Sequence, residues 1–305
     1  MLQDFSDKIK QKAICLGFSY CGIAKITPLE KESSYLKEWL EKSFHGEMQY
    51  MENHFEKRTN PASLIENAKS VISVLLNYFP SNSLEESDNY KIAKYAYGKD
   101  YHFIVKSRLN SIIELIQAEF PDAVSRAFCD SAPVMDKVWA ERSGLGWIGK
   151  NTLLTTPKAG SFFLIGEIIT DVEFCYDTPI KDHCGNCTRC MDACPAQAIV
   201  APYQLDARKC ISYQTIEYKN DLSSEMKMTQ NDWIFGCDIC QDVCPWNVRF
   251  AKPNQDADLQ PGENLLNMRK HDWQQLSKPD FIKLFKNTAL ERTGYLRLKR
   301  NIADL

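Results

Sequence analysis

The sequence predicts an α/β or α+β domain, then a small cysteine-bound domain and a short helical tail. Three observations carry this. Helices and strands interleave over residues 1–172 without a strict βαβ rhythm. Eight cysteines then crowd residues 173–250 in two matched runs, and residues 251–305 read as helical and basic.

Each element has a local reason. Leu2, Phe5, Ile9, Ala13 and Leu16 recur at helical spacing over 2–16, and Gly17 stops that helix. Tyr20 to Ile26 is short and rich in β-formers. A helix is expected over 33–42, capped by Ser33 or Ser34. Val71 to Phe79 reads as a buried strand ended by Pro80, and Ser81 to Asn89 as an acidic surface loop. Phe103 to Glu119 is a helix stopped by Pro121. Val124 to Cys129 is a strand that delivers Asp130 at its end. Pro133 to Arg142 is helical. Asn151 to Thr155 and Ser161 to Thr170 read as a hairpin around Pro157 to Gly160.

The strongest signal lies between Cys184 and Pro245. Cys184, Cys187, Cys190 and Cys194-Pro195 follow the C-x2-C-x2-C-x3-C-P spacing of a bacterial-type ferredoxin. Cys237, Cys240 and Cys244-Pro245 repeat it, with the leading cysteine moved back to Cys210. In this pattern the fourth cysteine of each run ligates the other cluster. One 4Fe–4S cluster is therefore expected on Cys184, Cys187, Cys190 and Cys244, and the other on Cys194, Cys210, Cys237 and Cys240. A zinc ribbon stops at four ligands and has no use for the third cysteine and trailing proline. Disulfides suit small secreted domains. The other four, Cys15, Cys21, Cys129 and Cys175, are expected to be small core residues.

Composition narrows the class. At 305 residues, 44% hydrophobic and 25% charged, the chain has the make-up of a soluble globular protein of about two domains. Its apolar runs fall short of the ~20 residues of a membrane span. The N-terminus lacks the apolar core of a signal peptide, so a reducing cytoplasm is expected. Net charge is −3, yet residues 269–300 hold nine Lys and Arg against three Asp and Glu. Such a run is usually a solvated helix face; its functional alternative is a phosphate-contact surface.

Two motifs mislead. Gly144-Leu-Gly146-Trp-Ile-Gly149 spells the dinucleotide fingerprint, but it follows a helix and opens a hairpin, the reverse of what that fingerprint needs. Asp100-Tyr-His102 resembles a cobalamin-ligating signature whose final Gly is Val105 here, and His102 reads better as structural. Asp130 has two readings. It is a turn residue, or a proton donor whose carboxyl is held protonated by burial.

Taken together, several stretches resemble the epoxyqueuosine reductase family. They are Tyr95-Ala-Tyr-Gly-Lys-Asp-Tyr-His102, Cys129-Asp-Ser-Ala-Pro133, Ala140 to Thr152, Cys210 to Glu217 and Gly236 to Asn247, and they span nearly the whole chain. The resemblance implies a cobalamin-binding catalytic domain related to that of reductive dehalogenases, followed by the ferredoxin domain. It implies two 4Fe–4S clusters, cobalamin, a tRNA substrate with epoxyqueuosine at the wobble position, and an external electron donor. A monomer away from any membrane is expected. Asp130 matches the family's proton donor. The segments of Arg58, Tyr97, Lys150, Asn151 and Leu154 match stretches around the corrin, and Ser212 faces it from the ferredoxin side. Longer members continue into a HEAT-like repeat that helps hold tRNA. Here Thr293 to Asn301 looks like its start, which makes the basic segment, with Arg297, Lys299 and Arg300, the expected tRNA platform. The alternatives are a cobalamin-dependent reductive dehalogenase-like enzyme and a ferredoxin-type electron carrier with an appended binding domain.

Replacing Cys210 by Ala should lower the iron content of anaerobically purified protein. Unchanged iron would break the second tetrad.

Overall fold

The computed structural model describes residues 2–84, 88–303 and 305. Part of the acidic loop expected at 81–89 lies outside them. Its centre is a four-stranded sheet in the order Tyr20–Lys25, Ser70–Asn77, Phe163–Thr170, Ser125–Phe128, antiparallel throughout. The fold is therefore α+β. Among the described residues the one parallel pairing joins Trp233–Phe235 to Lys91–Ile92, outside that sheet.

Strand periodicity divides the core into two layers. Ile72, Val74 and Leu76 face the helices Leu2–Cys15 and Tyr101–Glu119, which bring Phe5, Ile9, Val105 and Leu109. Val71 points the other way, onto Val138 and Trp139 of the helix Asp136–Arg142. The long helix starts where Asp100 caps it, accepting from the His102 N–H at 3.0 Å.

Local expectations fail in three places. The second helix starts at Glu30 rather than near Ser33, and Ser34 sits inside it with its hydroxyl on the Glu30 carbonyl. Buried Leu29 anchors the entry, and Glu30 and Glu32 suit the first turn. The expected hairpin is reduced to one antiparallel bridge, Thr156 with Gly160. Phe163–Thr170 is taken by its two sheet neighbours, and Leu154–Thr155 pairs with Trp147–Ile148 instead. An apolar eight-residue strand buries more surface inside a sheet than in a two-stranded ribbon. Of the four spare cysteines only Cys129 is fully buried, and Cys15 is exposed. It lies off the face that carries Ile9 and Ala13.

The glycines of the fingerprint-like loop admit backbone. A Cβ on Gly144, at φ +72°, would lie 2.6 Å from the Thr178 carbonyl, and one on Gly146 2.4 Å from that of Thr155.

The C-terminal helices close a second core in which Tyr90, Tyr97, Phe235, Trp273, Leu290 and Leu298 are buried together. This explains the basic run in part. Arg300 donates to the carbonyls of Gln214 at 2.7 Å, Tyr218 at 2.7 Å and Asn220 at 2.6 Å. Arg297 donates to Ile216 O, and Lys299 to Gln274 O. The two arginines satisfy carbonyls at and after the end of the helix Ile211–Ile216, and Lys299 one at the end of the helix Lys270–Gln275. The three residues expected to contact tRNA are thus engaged within the fold. Lys278, Lys283 and Lys286 remain exposed. Among the described residues no helix is long and apolar enough to cross a membrane.

A buried polar knot ties the cysteine region to the sheet. Asn247 accepts from Ser161 N at 2.6 Å and donates to Ser161 Oγ at 2.9 Å and Gln241 O at 2.7 Å. Gln241 donates in turn to Ser161 O at 3.1 Å and Tyr78 OH at 3.2 Å. Gly160, at φ +78°, permits this approach, since its Cβ would stand 1.9 Å from Asn247 Oδ1. Asn247→Ala should destabilise the protein by about 2 kcal/mol or more, because it strands buried partners. Denaturant unfolding checks this, and a loss below about 0.5 kcal/mol would contradict it.

Candidate cofactor cleft and cysteine tetrads

The short helices Arg189–Asp192 and Ile239–Asp242 pack against each other and bring the two runs together. The thiols of the two runs perturb one another. Burial is the main cause that raises the Cys190 thiol, followed by Cys184, Cys244 and Cys187. Burial likewise raises Cys237, followed among the thiols by Cys210 and Cys194. Cys240 is driven well above its ordinary value, by burial first and then by Cys210 and Cys237. No three His, Cys, Asp or Glu side chains among the described residues converge on a single ion. The first set instead borders a cavity of about 310 Å³, which suits a multi-atom cluster. Donors face the sulfurs, with Trp147 Nε1 3.4 Å from Cys184 Sγ and Ala198 N 3.3 Å from Cys194 Sγ.

The surroundings of the two sets differ. Around the first set Gly185, Asn186, Thr188 and Arg189 are exposed. Around the second, Ala93, Ile211 and Trp233 are buried and Asp238 is 2% exposed. The first is outer, the second inner.

Next to the inner set stands Lys137. Desolvation is the first cause that lowers its pKa, opposed by Asp136, Asp130 and Cys240. Its ammonium donates to Thr152 O at 2.8 Å, and the adjacent Asn151 donates to Cys240 O at 3.3 Å. The candidate cleft is the ground between Lys137, Asp130 and the inner set.

Asp130 sits at φ +53°, a left-handed conformation that non-glycine residues seldom adopt. Tyr101 donates its hydroxyl to Asp130 Oδ2 at 2.7 Å, and His102 Nε2 lies 3.7 Å from the same oxygen. His102 Nδ1 is 2.7 Å from Asp100 Oδ1. The Asp130 side chain is 53% exposed, so the burial expected of a proton donor is absent in the protein alone. A large ligand in the cleft would have to supply it.

Other walls are polar and incompletely paired. Arg58 is buried and donates to Tyr50 O at 2.9 Å, but its Nε has no partner among the described residues. The carboxyl of Glu167 is buried and shares a hydrogen bond with that of Asp136. Burial pushes Glu167 well above the carboxylate range, with Asp136 next in effect. Burial also pushes Asp136 up to about 7, followed by Asp130. Across the cleft Arg292 pairs with Glu217 at 2.9 Å, and its charge is felt by Tyr50.

The expected corrin-contact residues scatter. Arg58 lines the cleft. Lys150 is buried and donates to Gly185 O at 2.6 Å and Cys187 O at 2.9 Å, bracing the outer cysteine loop. Asn151 donates to Cys240 O at 3.3 Å. Leu154 packs with Leu75 and Ala140, and Tyr97 lies in the second core. The backbone of Ser212 hydrogen-bonds the inner ligand Cys210. Sequence reasoning missed Tyr101, Asp136, Lys137 and Arg292. The tyrosine-dense stretch was the one available hint, for Tyr101.

Comparison with known proteins adds the name of the arrangement. The family model described as 4Fe-4S double cluster binding domain matches residues 183–247. The one described as Epoxyqueuosine reductase QueG, DUF1730, matches residues 58–131. A curated epoxyqueuosine reductase of Cellulophaga algicola is 53% identical, over 97% of this chain and 96% of its own length. The chain belongs to the epoxyqueuosine reductase family. The Escherichia coli epoxyqueuosine reductase is 39% identical, over 99% of this chain and 80% of its own. A solved epoxyqueuosine reductase with an epoxyqueuosine-modified tRNA stem loop aligns at a TM-score of 0.90 and 28% identity, covering 98% of this chain and 80% of that one. Members of this family are oxidoreductases, and the double-cluster domain agrees with the two tetrads.

The carboxyl pair makes stability pH-dependent. Asp136 has its folded value raised above the ordinary 3.8, so the folded state holds the proton more tightly than the unfolded chain. Its contribution is fully present below 3.8 and is lost as pH rises towards about 7. Asp136→Asn should flatten that decline in the cofactor-free protein. Denaturant midpoints between pH 5 and 8 measure it, and an undiminished slope would contradict the assignment.

Proposed function

We propose that this chain reduces epoxyqueuosine at the wobble position of a tRNA to queuosine, with cobalamin in the cleft and electrons supplied through two 4Fe–4S clusters. The observation that carries the reading is Lys137, which feels both Asp130 and the inner ligand Cys240. It supports a proton donor and an electron source beside one bound cofactor. The relatives named epoxyqueuosine reductase, one of them bound to a modified stem loop, supply the substrate.

Removing an epoxide oxygen as water takes two electrons and two protons, while each cluster passes one electron at a time. Cobalamin, when bound, supplies a centre that accepts single electrons and reduces its substrate by two. The unpartnered Arg58 Nε and the polar walls fit the amide-rich rim of such a ligand. Within the chain, Asp130 holds the proton for the departing oxygen, so that no bare alkoxide forms. Tyr101 fixes one carboxyl oxygen of Asp130 and leaves the other available. The strained turn lets that side chain move, as in the Bacillus subtilis enzyme described with its catalytic aspartate loop swung out of the active site.

In this reading residues 1–172 form the catalytic domain, 173–250 the electron-transfer domain, and 251–305 a basic closing segment. Exposed Lys278, Lys283 and Lys286 are the cations left to meet tRNA phosphates.

Asp130→Asn should retain the iron–sulfur absorption and bind added cobalamin, yet slow turnover by about 100-fold or more. Wild-type turnover in that variant would remove Asp130 from the chemistry.

A further inference from the structure

The outer tetrad has a mouth that no described residue covers. Trp147, His183 and Trp246 form a collar beside Cys184, with ring centroids 5.1 Å apart for Trp147 with His183 and for Trp147 with Trp246. Phe250 stacks on Trp246 at 5.6 Å. Arg249 lies over Phe250 at 5.2 Å and stands at the rim, and its neighbour Val248 is 71% exposed. The exposed cation of the cavity wall is Arg249, since Lys150 is buried against the Gly185 and Cys187 carbonyls. Lys150 and Arg249 border the cavity, and no Asp or Glu among the described residues does. The nearest carboxylate in sequence, Asp182, is held by the Tyr203 hydroxyl and by Cys184 N.

We propose that this rim, Trp246, Val248, Arg249 and Phe250 around the outer tetrad, is the docking surface for a small acidic one-electron carrier protein. The inference rests on the two-cluster reading. Electron transfer falls steeply with distance, so a donor must come to the outer set, because the inner one is enclosed by Ala93, Ile211 and Trp233. Transient redox partners use small faces, and an apolar centre with a rim cation suits one. The positive rim steers an acidic partner and repels a basic one. In the step itself no bond forms or breaks. One electron leaves the carrier's reduced flavin or iron centre, and the oxidised outer cluster gains it.

The test follows cluster bleaching by stopped flow in the cluster-loaded protein, with photoreduced acidic flavodoxin as donor and dithionite as a small control. Arg249→Glu should cut the flavodoxin rate at low salt by about tenfold and flatten its salt dependence. Val248→Asp should cut it as well, while Arg249→Lys keeps most of it. Dithionite rates and iron content should stay at wild-type level. An unchanged flavodoxin rate in Arg249→Glu would overturn the proposal. So would an equal slowing with dithionite, which places the effect on the cluster, or competition by a tRNA stem loop, which assigns the face to nucleic acid. Wild-type protein without cluster absorption would instead sink the two-cluster reading.

Discussion

The chemistry proposed for this fold depends on one tie: Lys137 donates to Thr152 O at 2.8 Å, and the adjacent Asn151 donates to Cys240 O at 3.3 Å. An electron and a proton must reach the same atom group, and they travel by different means. Electrons cross protein through space over short gaps, whereas protons need a side chain that touches the reactant. A cofactor seated beside an inner thiol and a carboxyl, both felt by Lys137, would meet both demands.

The rest of the architecture keeps those groups in register. The central strand Ser70–Asn77 is buried on both faces, and one face supports the helix that carries Asp136 and Lys137. The knot of Ser161, Gln241 and Asn247 fixes the cysteine region to the edge of the same sheet. A polar knot of this kind specifies one arrangement, because a slipped register would leave buried donors unpaired. Arginines from the C-terminal helix then tie the segment after the inner ligand Cys210 to the second core. Arg58, by contrast, keeps a buried Nε without a partner among the described residues, a donor left for a ligand.

Much of this was legible in the chain. Cysteine spacing is a covalent ruler, so a double-cluster domain could be read from Cys184 to Cys244 without a structure. The long helix and the strand around Val71 follow from apolar periodicity. Asp130 was found by its position at a strand end and by family resemblance, but its left-handed turn and its exposure were not. Pairing across distance was hidden. Tyr101 meets Asp130 only because a helix start and a strand end share one edge of the sheet. The hairpin was reduced to one bridge because local turn chemistry cannot weigh the gain of joining a larger sheet. The basic run looked like a tRNA platform because composition does not reveal that Arg300 is engaged by three backbone carbonyls.

The most direct test of the shared cleft is magnetic. Cobalamin is added to the anaerobic protein, and the EPR signal of its cobalt(II) is recorded before and after the clusters are reduced. The account expects that signal to broaden on cluster reduction in the wild-type protein and to stay sharp when Cys240→Ser removes the inner cluster. A cobalt signal that is indifferent to cluster reduction in the wild-type protein would contradict it.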